Sequence, residues 1–412
     1  MEIIREVYLA MDINTLKTLC PLPWNNLVIG TTGTIQPCCV FGSHISNNSI
    51  ELNISKNTVR EIYYSDQLIE IRRQFLKGIK PTDCHICWDN ENNDLTSTRQ
   101  RHRTELISDR NLNIKNIIEN KSAEIVSLDI NVGNKCNFKC VMCSSEYSSR
   151  IAHEELSKYS KDSFEYKRLK QINKMGRWFE DESVWQNLEK VAPSLRYLDI
   201  FGGEPFLVHH QFKFLDYLIT KGFAKNIKIH YNTNGSIFPE CFFERWNHFK
   251  EVNIAFSIDN IGNKFESERY GSTWETVTNN ITAIMDKSEP HYTFSIMVTH
   301  HILNILNLPD VLQWYETTGI SDIHFAKITN PKYLQLAQLT QPAQEEVIKS
   351  LLSISDNRLI KYKVHDLINY IKHAGYNNNN TEFITAMREI DSIRDKRIID
   401  SHTKIAHLMG YY

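Results

Sequence analysis

The feature that most constrains this chain is the segment of residues 136–143, which has the sequence CNFKCVMC. It places three cysteines in a C-x3-C-x2-C spacing directly behind residues 125–132, whose near-alternating, β-branched pattern predicts a strand. The sequence therefore predicts a loop at the end of a strand that presents three thiols together. The alternatives are three ligands of a zinc site with a remote fourth, or free buried thiols.

The number of cysteines in this loop is informative, because iron–sulfur clusters normally take four. A four-iron cluster held by only Cys136, Cys140 and Cys143 has one iron open to a further ligand. An open coordination position is what separates catalytic from structural metal sites in general. The triplet thus favours a cluster that binds a second molecule at its fourth iron.

From residue 124 onwards, strand patterns alternate with helical patterns, which is typical of a parallel α/β sheet. The strand patterns cover residues 125–132, 195–201, 227–231, 252–258, 291–299 and 322–328. Six such units predict an incomplete (β/α)6 barrel with its chemistry at the carboxyl ends of the strands. The cysteine loop, a Gly-Gly-Glu-Pro turn, an Asn-Gly turn and Ser257 all lie at predicted strand ends, so we expect them on one rim.

Residues 20–87 contain five further cysteines. The pattern predicts a hairpin with a cysteine at each end, then a helix over residues 61–77, then a C-x2-C pair. Four thiolates complete either a [4Fe–4S] cluster or a structural zinc site. The candidate ligands are Cys20, one of Cys38 and Cys39, Cys84 and Cys87. Adjacent residues of a strand point to opposite faces, so only one of the pair Cys38 and Cys39 is expected to ligate.

Two polar regions complete the chain. Residues 88–121 predict a connector with a helix, and the basic run at 99–103 predicts a solvated face rather than a binding patch. Residues 331–412 have helical patterns, with a loop predicted at the Asn run 377–380. No chemical motif is present in this last part.

Composition limits the class of protein. The 412 residues suffice for a catalytic domain with one or two appendages. No uncharged apolar stretch is long enough to span a membrane, and the first residues lack the pattern of a secretory signal. Eight of the nine cysteines lie in compact sets, which favours metal clusters in a reducing compartment, so we expect a cytoplasmic location. The net charge of −2 gives no support to a nucleic-acid partner.

The cysteine triplet followed by the Gly-Gly-Glu-Pro turn resembles the radical S-adenosylmethionine (radical SAM) superfamily. The cysteine set of residues 20–87 resembles the twitch or SPASM-type auxiliary-cluster modules of that superfamily, here placed before the core. The resemblance implies a [4Fe–4S] cluster, S-adenosylmethionine (SAM) bound to its open iron, and reductive cleavage of SAM to a 5′-deoxyadenosyl radical. It also implies a second, auxiliary [4Fe–4S] cluster, with zinc as the alternative at that site.

The resemblance assigns several residues to SAM. Gly202, Gly203 and Glu204 would bind its amino end, since glycines let the backbone approach a ligand closely. Ser257 and Arg269 would bind its carboxylate, because arginine forms charge-assisted bonds to carboxylates. A surface ion pair is the alternative for Arg269.

Further residues have weaker expectations. Asn234 would contact the ribose, although Asn-Gly is first of all a turn signal. Phe138 and Met142 would cover the cluster and face the adenine, with simple packing as the alternative. Asp129 and Asp199 are strand residues expected to point into the barrel.

Candidates for substrate chemistry are few. Cys241 is the one cysteine outside both sets, and either hydrogen-atom donation or burial as a small hydrophobic residue fits it. His300 and His301 follow the fifth strand, and at least one is expected at the barrel mouth, for proton transfer or as satisfied polar packing. Asn304, before the Leu-Pro start of a helix, is a further pocket candidate.

We therefore predict an auxiliary-cluster module and connector at 1–122, a partial radical SAM barrel at 123–330 and a helical extension at 331–412. The predicted function is radical chemistry on a peptide or small-molecule substrate, with the second cluster assisting oxidation or cross-linking. The expected partners are that substrate and a reductant protein such as flavodoxin or ferredoxin, without membrane or nucleic acid. The alternative is a non-catalytic binding or scaffold protein stabilised by structural clusters or zinc.

Overall fold

The computed structural model describes residues 17–93, 96–102, 124–355 and 360–412. They divide into two compact units. The first comprises the described parts of residues 1–135, 170–230 and 241–252, and the second those of 136–169, 231–240 and 253–412. The domain boundary at 122/123 lies outside the described residues, and both predicted boundaries stay predictions.

The strands follow the sequence pattern closely. The six strands predicted after residue 124 are present within two residues of their predicted ends. In chain order, the described strands are β1 Asn26–Ile29, β2 Ile35–Gln36, β3 Ser46–Asn47, β4 Ile50–Glu51, β5 Ser127–Asn131, β6 Lys139–Cys140, β7 Tyr197–Phe201, β8 Lys228–Thr233, β9 Glu251–Ser257, β10 Arg269–Tyr270, β11 Tyr292–His300 and β12 Asp322–Lys327.

In the first unit, β7, β5, β1 and β2 lie side by side in that order, with β8 next to β7. β1 and β2 form the predicted hairpin, and their antiparallel register pairs Val28 with Gln36. β1 also runs parallel to β5, with Asn26 paired to Ser127. The sequence did not indicate this second pairing, because a local pattern does not encode which distant strand lies alongside.

The first unit is held together by an apolar face of this sheet. Leu128 and Ile130 of β5 are fully buried, as are Leu198 and Ile200 of β7. Alternate residues of each strand point to the opposite face. That face carries Asp129 and Asp199 next to each other, so carboxyl groups lie on the side of the sheet opposite these apolar residues.

In the second unit, β12, β11 and β9 lie side by side, with β8 next to β9. β11 and β12 are parallel, and their register runs from Ser295 paired with Asp322 to His300 paired with Lys327. A separate antiparallel ribbon joins β6 to β10. The pattern had not predicted this ribbon, because two-residue strands have no detectable period.

The helices also agree with the pattern, except that the helix predicted over 61–77 is divided at Ser65, which has an extended conformation and begins a second helix. The described α-helices with both ends defined are α1 Leu22–Asn25, α2 Val59–Tyr63, α3 Asp66–Leu76, α4 His85–Asn92, α5 Ser149–Leu156, α6 Phe164–Met175, α7 Glu182–Leu188, α8 Phe212–Thr220, α9 Glu240–Trp246, α10 Gly262–Glu268, α11 Trp274–Asp286, α12 Leu308–Thr318, α13 Gln341–Leu352, α14 Lys361–Ala374, α15 Thr381–Ile393, α16 Ile398–Ser401 and α17 Thr403–Leu408.

Capping residues explain several of the helix starts. Thr58 and Glu61 form a capping box at α2. Ser148 and Thr273 accept hydrogen bonds from the first turns of α5 and α11. The part after residue 331 is helical as predicted, and its α13 begins in the same way at Thr340.

Among the described residues, none of the helices has the length and apolar character needed to cross a membrane.

Candidate functional site

The cysteine triplet lies on a loop of the second unit that is anchored on both sides. Cys140 lies in β6 and pairs with Arg269 of β10. The next amide, Val141 N–H, donates to the carbonyl of Glu268 at 2.8 Å. Ser148 at the start of α5 donates its hydroxyl to the carbonyl of Phe138 at 2.7 Å. The loop is therefore fixed by contacts of its backbone.

The electrostatics of these thiols fit a cationic group. Burial raises the pKa of Cys140, against the lowering effect of Arg269. Burial and the charge of Cys140 raise the pKa of Cys143 to about 12. Thiolates held this close repel one another, so a metal centre is needed to stabilise them together. The soft donors of the loop are those that iron–sulfur clusters take.

The Gly-Gly-Glu-Pro turn follows β7 in the first unit and packs on the backbone that leads out of β5. Gly202 has a φ of +144°. A Cβ on Gly203 would lie 2.5 Å from the carbonyl oxygen of Lys135. Both positions thus need glycine, because a side chain would displace the segment just before the cysteine loop.

The backbone donors of this turn are already used. Gly203 N–H donates to the carbonyl of Gly133 at 2.9 Å, and Glu204 N–H donates to the carbonyl of Lys135 at 2.8 Å. These two N–H groups are therefore used within the turn, and the binding of the SAM amino end by Gly202, Gly203 and Glu204 stays a prediction. Glu204 is fully buried, and its Oε1 accepts from Phe206 N–H at 3.1 Å.

The Asn-Gly turn after β8 contacts the cysteine loop within the second unit. Asn234 Nδ2 donates to Asn137 Oδ1 at 3.0 Å, and Asn137 Nδ2 donates to the hydroxyl of Ser236 at 2.8 Å. Asn234 Oδ1 in turn accepts from the amide and hydroxyl of Ser236. Asn234 thus has a supporting role here, and its contact with a ribose stays a prediction.

Arg269 forms a buried ion pair rather than a surface one. Its Nε donates to Asp259 Oδ2 at 2.8 Å, and the two side chains are 10% and 0% exposed. Burial acts to lower the pKa of Arg269, but the charges of Asp259 and Cys140 outweigh it and raise that pKa. Ser257 ends β9, two residues before Asp259, and is half-buried. That these residues bind the carboxylate of SAM stays a prediction.

Phe138 and Met142 differ in their surroundings. Phe138 is fully buried, with its ring centre 6.5 Å from that of Phe265. A Cβ on Gly271 would lie 2.8 Å from the Phe138 ring. Met142 is half-buried. Phe138 therefore packs in the core, as the alternative for it states, and Met142 is the one left accessible.

A buried polar network behind the loop escaped the sequence reasoning. Glu268, whose carbonyl holds Val141, accepts at Oε1 from Asn260 Nδ2 at 2.9 Å. The same Oε1 lies 2.7 Å from His402 Nε2, in the helical extension. Burial opposes ionisation of Glu268, but bonding to His402 prevails and lowers its pKa. No local pattern links residues this far apart in sequence.

The auxiliary cysteines lie together in the first unit. Cys20 precedes α1, Cys38 and Cys39 follow β2, Cys84 ends a 3-10 helix and Cys87 lies in α4. The backbone after Cys39 is tied to the C-x2-C segment, because Gly42 N–H donates to the carbonyl of Asp83 at 2.8 Å. The fold thus brings together cysteines that are up to 67 residues apart in the sequence.

Mutual charge effects indicate which thiols lie near one another. Burial raises the pKa of Cys20, and the charges of Cys84 and Cys87 raise it further. Burial and the charge of Cys20 likewise raise the pKa of Cys38. Four thiols are the number that a cluster takes, and the ligation of a cluster by these four stays a prediction.

Cys39 has a different main charged neighbour. As a residue it is exposed, but desolvation of its thiol and the charge of Asp129 raise its pKa to about 11, with a smaller contribution from Cys87. Cys38, by contrast, interacts with Cys20 and Cys84. This arrangement favours Cys38 as the fourth ligand of the set.

Arg99 corrects the interpretation of the basic run. It is 4% exposed, pairs with Glu91 at 2.6 Å and donates to the carbonyl of Leu19 at 3.0 Å. The expectation of a solvated face is therefore wrong at Arg99, whereas Arg101 is exposed. The last residue of the run, Arg103, lies outside the described residues.

The substrate-chemistry candidates are not gathered at one place. His300 and His301 are buried, and burial lowers the pKa of His300 to about 3. Neither is at a mouth as expected, because His300 packs on Phe325 and His301 Nε2 faces Glu268 Oε2 at 3.7 Å. Within the described chain, His300 Nε2 and both ring nitrogens of His301 have no hydrogen-bond partner. Satisfied polar packing of these two side chains is therefore not seen either.

Asn304 and Cys241 also have defined surroundings. Asn304 Oδ1 accepts from His301 N–H at 3.0 Å, and its Nδ2 donates to the carbonyl of Thr299 at 2.7 Å. It therefore closes the end of β11. Cys241 is exposed in the first turn of α9, so the expectation of a buried hydrophobic residue is wrong. Its role in hydrogen donation stays a prediction.

Asp129 and Asp199 are directly paired on the parallel strands β5 and β7. Burial and the charge of Asp199 raise the pKa of Asp129 to about 7. Burial also raises the pKa of Asp199, against the lowering effect of His230. The two carboxyl groups lie next to each other in the first unit, so it is unfavourable for both to be ionised at once.

Across the described residues, no group of three or more His, Cys, Asp or Glu side chains is arranged to hold a single metal ion. In a cubane cluster each thiolate binds a different iron, so the ligands are not gathered around one ion.

Comparison with known families supplies the class of the protein. Residues 130–315 match the radical SAM superfamily, and residues 20–88 match SPASM, an iron–sulfur cluster-binding domain. Together with the cysteine triplet and the glycine-rich turn, these matches show a radical SAM domain over residues 130–315 with a SPASM domain ahead of it. The cofactors that these two domains imply are a [4Fe–4S] cluster, SAM and auxiliary iron–sulfur clusters. No curated protein matches the chain.

Several solved structures resemble parts of the chain. Native anSMEcpe with bound AdoMet has 18% identity and a TM-score of 0.40, covering 56% of this chain and 60% of that one. Native anSMEcpe with bound AdoMet and Cp18Cys peptide has 16% identity and a TM-score of 0.36, covering 56% and 59%. Streptococcus suis SuiB bound to precursor peptide SuiA has 13% identity and a TM-score of 0.35, covering 81% and 74%. The chain thus spans 60% of the length of native anSMEcpe, and likeness at this level carries no argument about substrate.

Proposed function

We propose that this chain cleaves SAM reductively at a cluster held by Cys136, Cys140 and Cys143, and abstracts hydrogen from a peptide or small-molecule substrate. The observation that carries the proposal is the anchored cysteine loop. Its backbone is bonded at Val141, and it presents three thiols and no fourth within the segment. A donor set of three supports a cluster with one open iron. When bound and reduced, this cluster supplies the electron that converts SAM to methionine and a 5′-deoxyadenosyl radical.

The residues of the chain have separate roles in this proposal. Gly202 and Gly203 allow the turn after β7 to pack on the segment that precedes the cysteine loop. Glu204, fixed by its bond from Phe206 N–H, orients the amino group of SAM as an acceptor. Ser257 and Met142, both half-buried, remain accessible to the carboxylate and the adenine respectively.

The second thiol set supports an oxidative outcome. Cys20, Cys38, Cys84 and Cys87 would hold an auxiliary cluster, which would supply an acceptor for one electron. Removal of a hydrogen atom from the substrate, followed by loss of that electron and one proton, would amount to a two-electron oxidation or a cross-link. One SAM is then consumed per turnover.

The partners follow from this chemistry. The substrate is a peptide or a small molecule, and a cytoplasmic reductant protein such as flavodoxin or ferredoxin supplies the electron for SAM cleavage. The net charge of −2 supports no role for nucleic acid. We place the enzyme in the cytoplasm, because both cysteine sets need a reducing compartment.

Anaerobic reconstitution with iron and sulfide, followed by iron counting and SAM binding by equilibrium dialysis, tests the proposal. Wild type should hold about eight irons per chain, as two four-iron clusters require, and should bind SAM. The C140A variant should retain about four irons and lose SAM binding. The matched C84A variant should lose about four irons and keep SAM binding.

Each departure from this pattern identifies a different error. A wild-type protein that holds both clusters and does not bind SAM would contradict the proposed function. About four irons in wild type, with unchanged SAM binding in C84A, would leave SAM chemistry intact and make the first set a zinc or metal-free site.

A further inference from the structure

Arg394 is a buried cation in the helical extension. Its side chain is 4% exposed, and its Nε and Nη1 have no hydrogen-bond partner in the described part of the chain. Its Nη2 lies 3.9 Å from Glu154 Oε1, which is too long for a hydrogen bond. Buried charged donors of this kind are normally paired. The surroundings of Arg394 therefore call for an explanation.

The guanidinium faces the ribbon that carries the cysteine loop. Its carbon lies 5.5 Å from the ring centre of Tyr270, in β10. Tyr270 pairs with Lys139, the neighbour of Cys140 in β6. Burial lowers the pKa of Arg394, while the negative charges of Glu154 and of the Cys140 thiolate act against this change. Arg394 is thus an electrostatic neighbour of a proposed cluster ligand.

The side chain is held in this place by further contacts of the extension. The hydroxyl of Tyr270 donates to Asp395, the residue after Arg394, at 2.5 Å. Further along, His402 bonds to Glu268, whose carbonyl accepts from the cysteine loop. The segment that follows Arg394 is therefore bonded to Tyr270 of the ribbon and to Glu268 directly before it.

Other cations beside the loop already have partners. Lys139 is ion-paired with Glu154, and Arg269 is ion-paired with Asp259. Glu154 is thus engaged by Lys139 at close range and reaches Arg394 only distantly. Among these three cations, Arg394 is the one with no carboxylate within hydrogen-bond distance, since Glu154 Oε1 is 3.9 Å away.

A [4Fe–4S] cluster with three thiolate ligands has a net negative charge, and reduction adds one more. Net charge and nearby cations are among the factors that set the reduction potential of such clusters. A negative charge beside buried residues needs a compensating positive charge, because desolvation is otherwise costly. A buried guanidinium beside the ligands meets this need.

We propose that Arg394 is the counter-charge of the cluster held by Cys136, Cys140 and Cys143, and that the C-terminal extension is thereby part of the SAM-cleaving site. This inference rests on the proposed function. Arg394 stabilises the reduced cluster more than the oxidised one, because the reduced form has more negative charge. It is a positioning residue that acts through the cluster and does not need to contact SAM.

The test compares R394Q with R394K and with R388Q, a matched variant whose exposed arginine lies in α15. Each full-length protein is reconstituted anaerobically, and its reduction potentials are measured by redox titration with electron paramagnetic resonance. The titration is done first without SAM. The signal lost in C140A is assigned to the cluster of interest, and the auxiliary signal serves as an internal reference.

R394Q should reduce the equilibrium constant for reduction of this cluster about tenfold, a shift of about 59 mV to more negative potential. R394K and R388Q should keep the wild-type potential, and the auxiliary potential should not change. Selective loss of this cluster in R394Q, with rescue in R394K, would also support the inference. Because the wild-type cluster is itself measured, its absence would contradict the proposed function instead.

Three results would overturn the inference. The first is an unchanged potential in R394Q. The second is loss of the cluster in R394Q and R394K alike, which indicates a packing role. The third is a change seen only with SAM present, together with weaker SAM binding, which would assign Arg394 to the carboxylate of SAM.

Discussion

At the scale of single residues, Gly203 packs closely on the backbone that precedes the cysteine loop. A Cβ there would lie 2.5 Å from the carbonyl oxygen of Lys135, in backbone that cannot move without shifting the cysteine loop. We expect G203A to slow formation of 5′-deoxyadenosine at least tenfold, about 1.4 kcal/mol or more. The assay is product quantification after addition of dithionite and SAM.

A matched glycine provides the control. Gly222 has a φ of +74°, and a Cβ added there would have no other atom within 4 Å. G222A therefore adds backbone strain without contact and should keep near-normal product formation. Equal activity of G203A and wild type would show that the turn after β7 does not position the site.

The buried pair of Arg269 and Asp259 also makes a prediction at this scale. R269Q leaves the fully buried Asp259 carboxylate without its partner, which should cost about 3–5 kcal/mol in the free energy of unfolding. The comparison is R245Q, which breaks a half-exposed pair with Asp216 and should cost about 1 kcal/mol or less. Equal losses in denaturant unfolding would contradict this account of Arg269.

At the scale of secondary-structure elements, the two cysteines that follow β2 differ in their surroundings, which indicates which of them binds the auxiliary cluster. Cys38 interacts with Cys20 and Cys84, whereas Cys39 is exposed near Asp129. We expect C38A to lose about four irons after reconstitution and C39A to keep them. Iron analysis that shows the reverse would make Cys39 the ligand.

Because the register of β5 and β7 pairs Asp129 with Asp199, we expect the stability of the fold to depend on pH. Asp129, whose pKa is raised to about 7 beside Asp199, keeps a proton in the folded state that the unfolded chain releases near pH 4. This group's contribution to stability is therefore lost as the pH rises from about 4 to about 7. D129N should remove this loss. The free energy of unfolding that D129N gains over wild type should therefore be larger at pH 8 than at pH 4, by on the order of 2–4 kcal/mol.

Unfolding in urea at the two pH values measures this difference. D199N removes one of the two causes of the shift and should therefore flatten part of the same dependence. A gain in D129N that is equal at pH 4 and pH 8 would show that Asp129 ionises normally in the folded protein.

At the scale of the whole molecule, the chain combines a radical SAM domain with a SPASM domain, and each compact unit contains one set of thiols. The strands and the motifs at their ends were predictable from the sequence, because strand period and turn residues are local signals. Gly202 and Ser257 do lie at the ends of β7 and β9, as the pattern indicates.

Contacts between distant segments were not predictable. The pairing of Arg269 with Cys140, the burial of Arg99 and the position of Arg394 all depend on which segments the fold brings together. Charged residues in polar stretches are usually solvated, so a pattern predicts exposure for them. The exposed Cys241 is the opposite case, since its aromatic neighbours in the sequence suggest burial.

The most direct test of radical SAM chemistry is formation of 5′-deoxyadenosine by the anaerobically reconstituted chain after addition of dithionite and SAM. The account predicts product with wild type and C39A, and none above background with C140A, which lacks one ligand of the open cluster. Product formation by wild type and C140A at the same rate, or none from wild type that holds both clusters and SAM, would contradict the central claim.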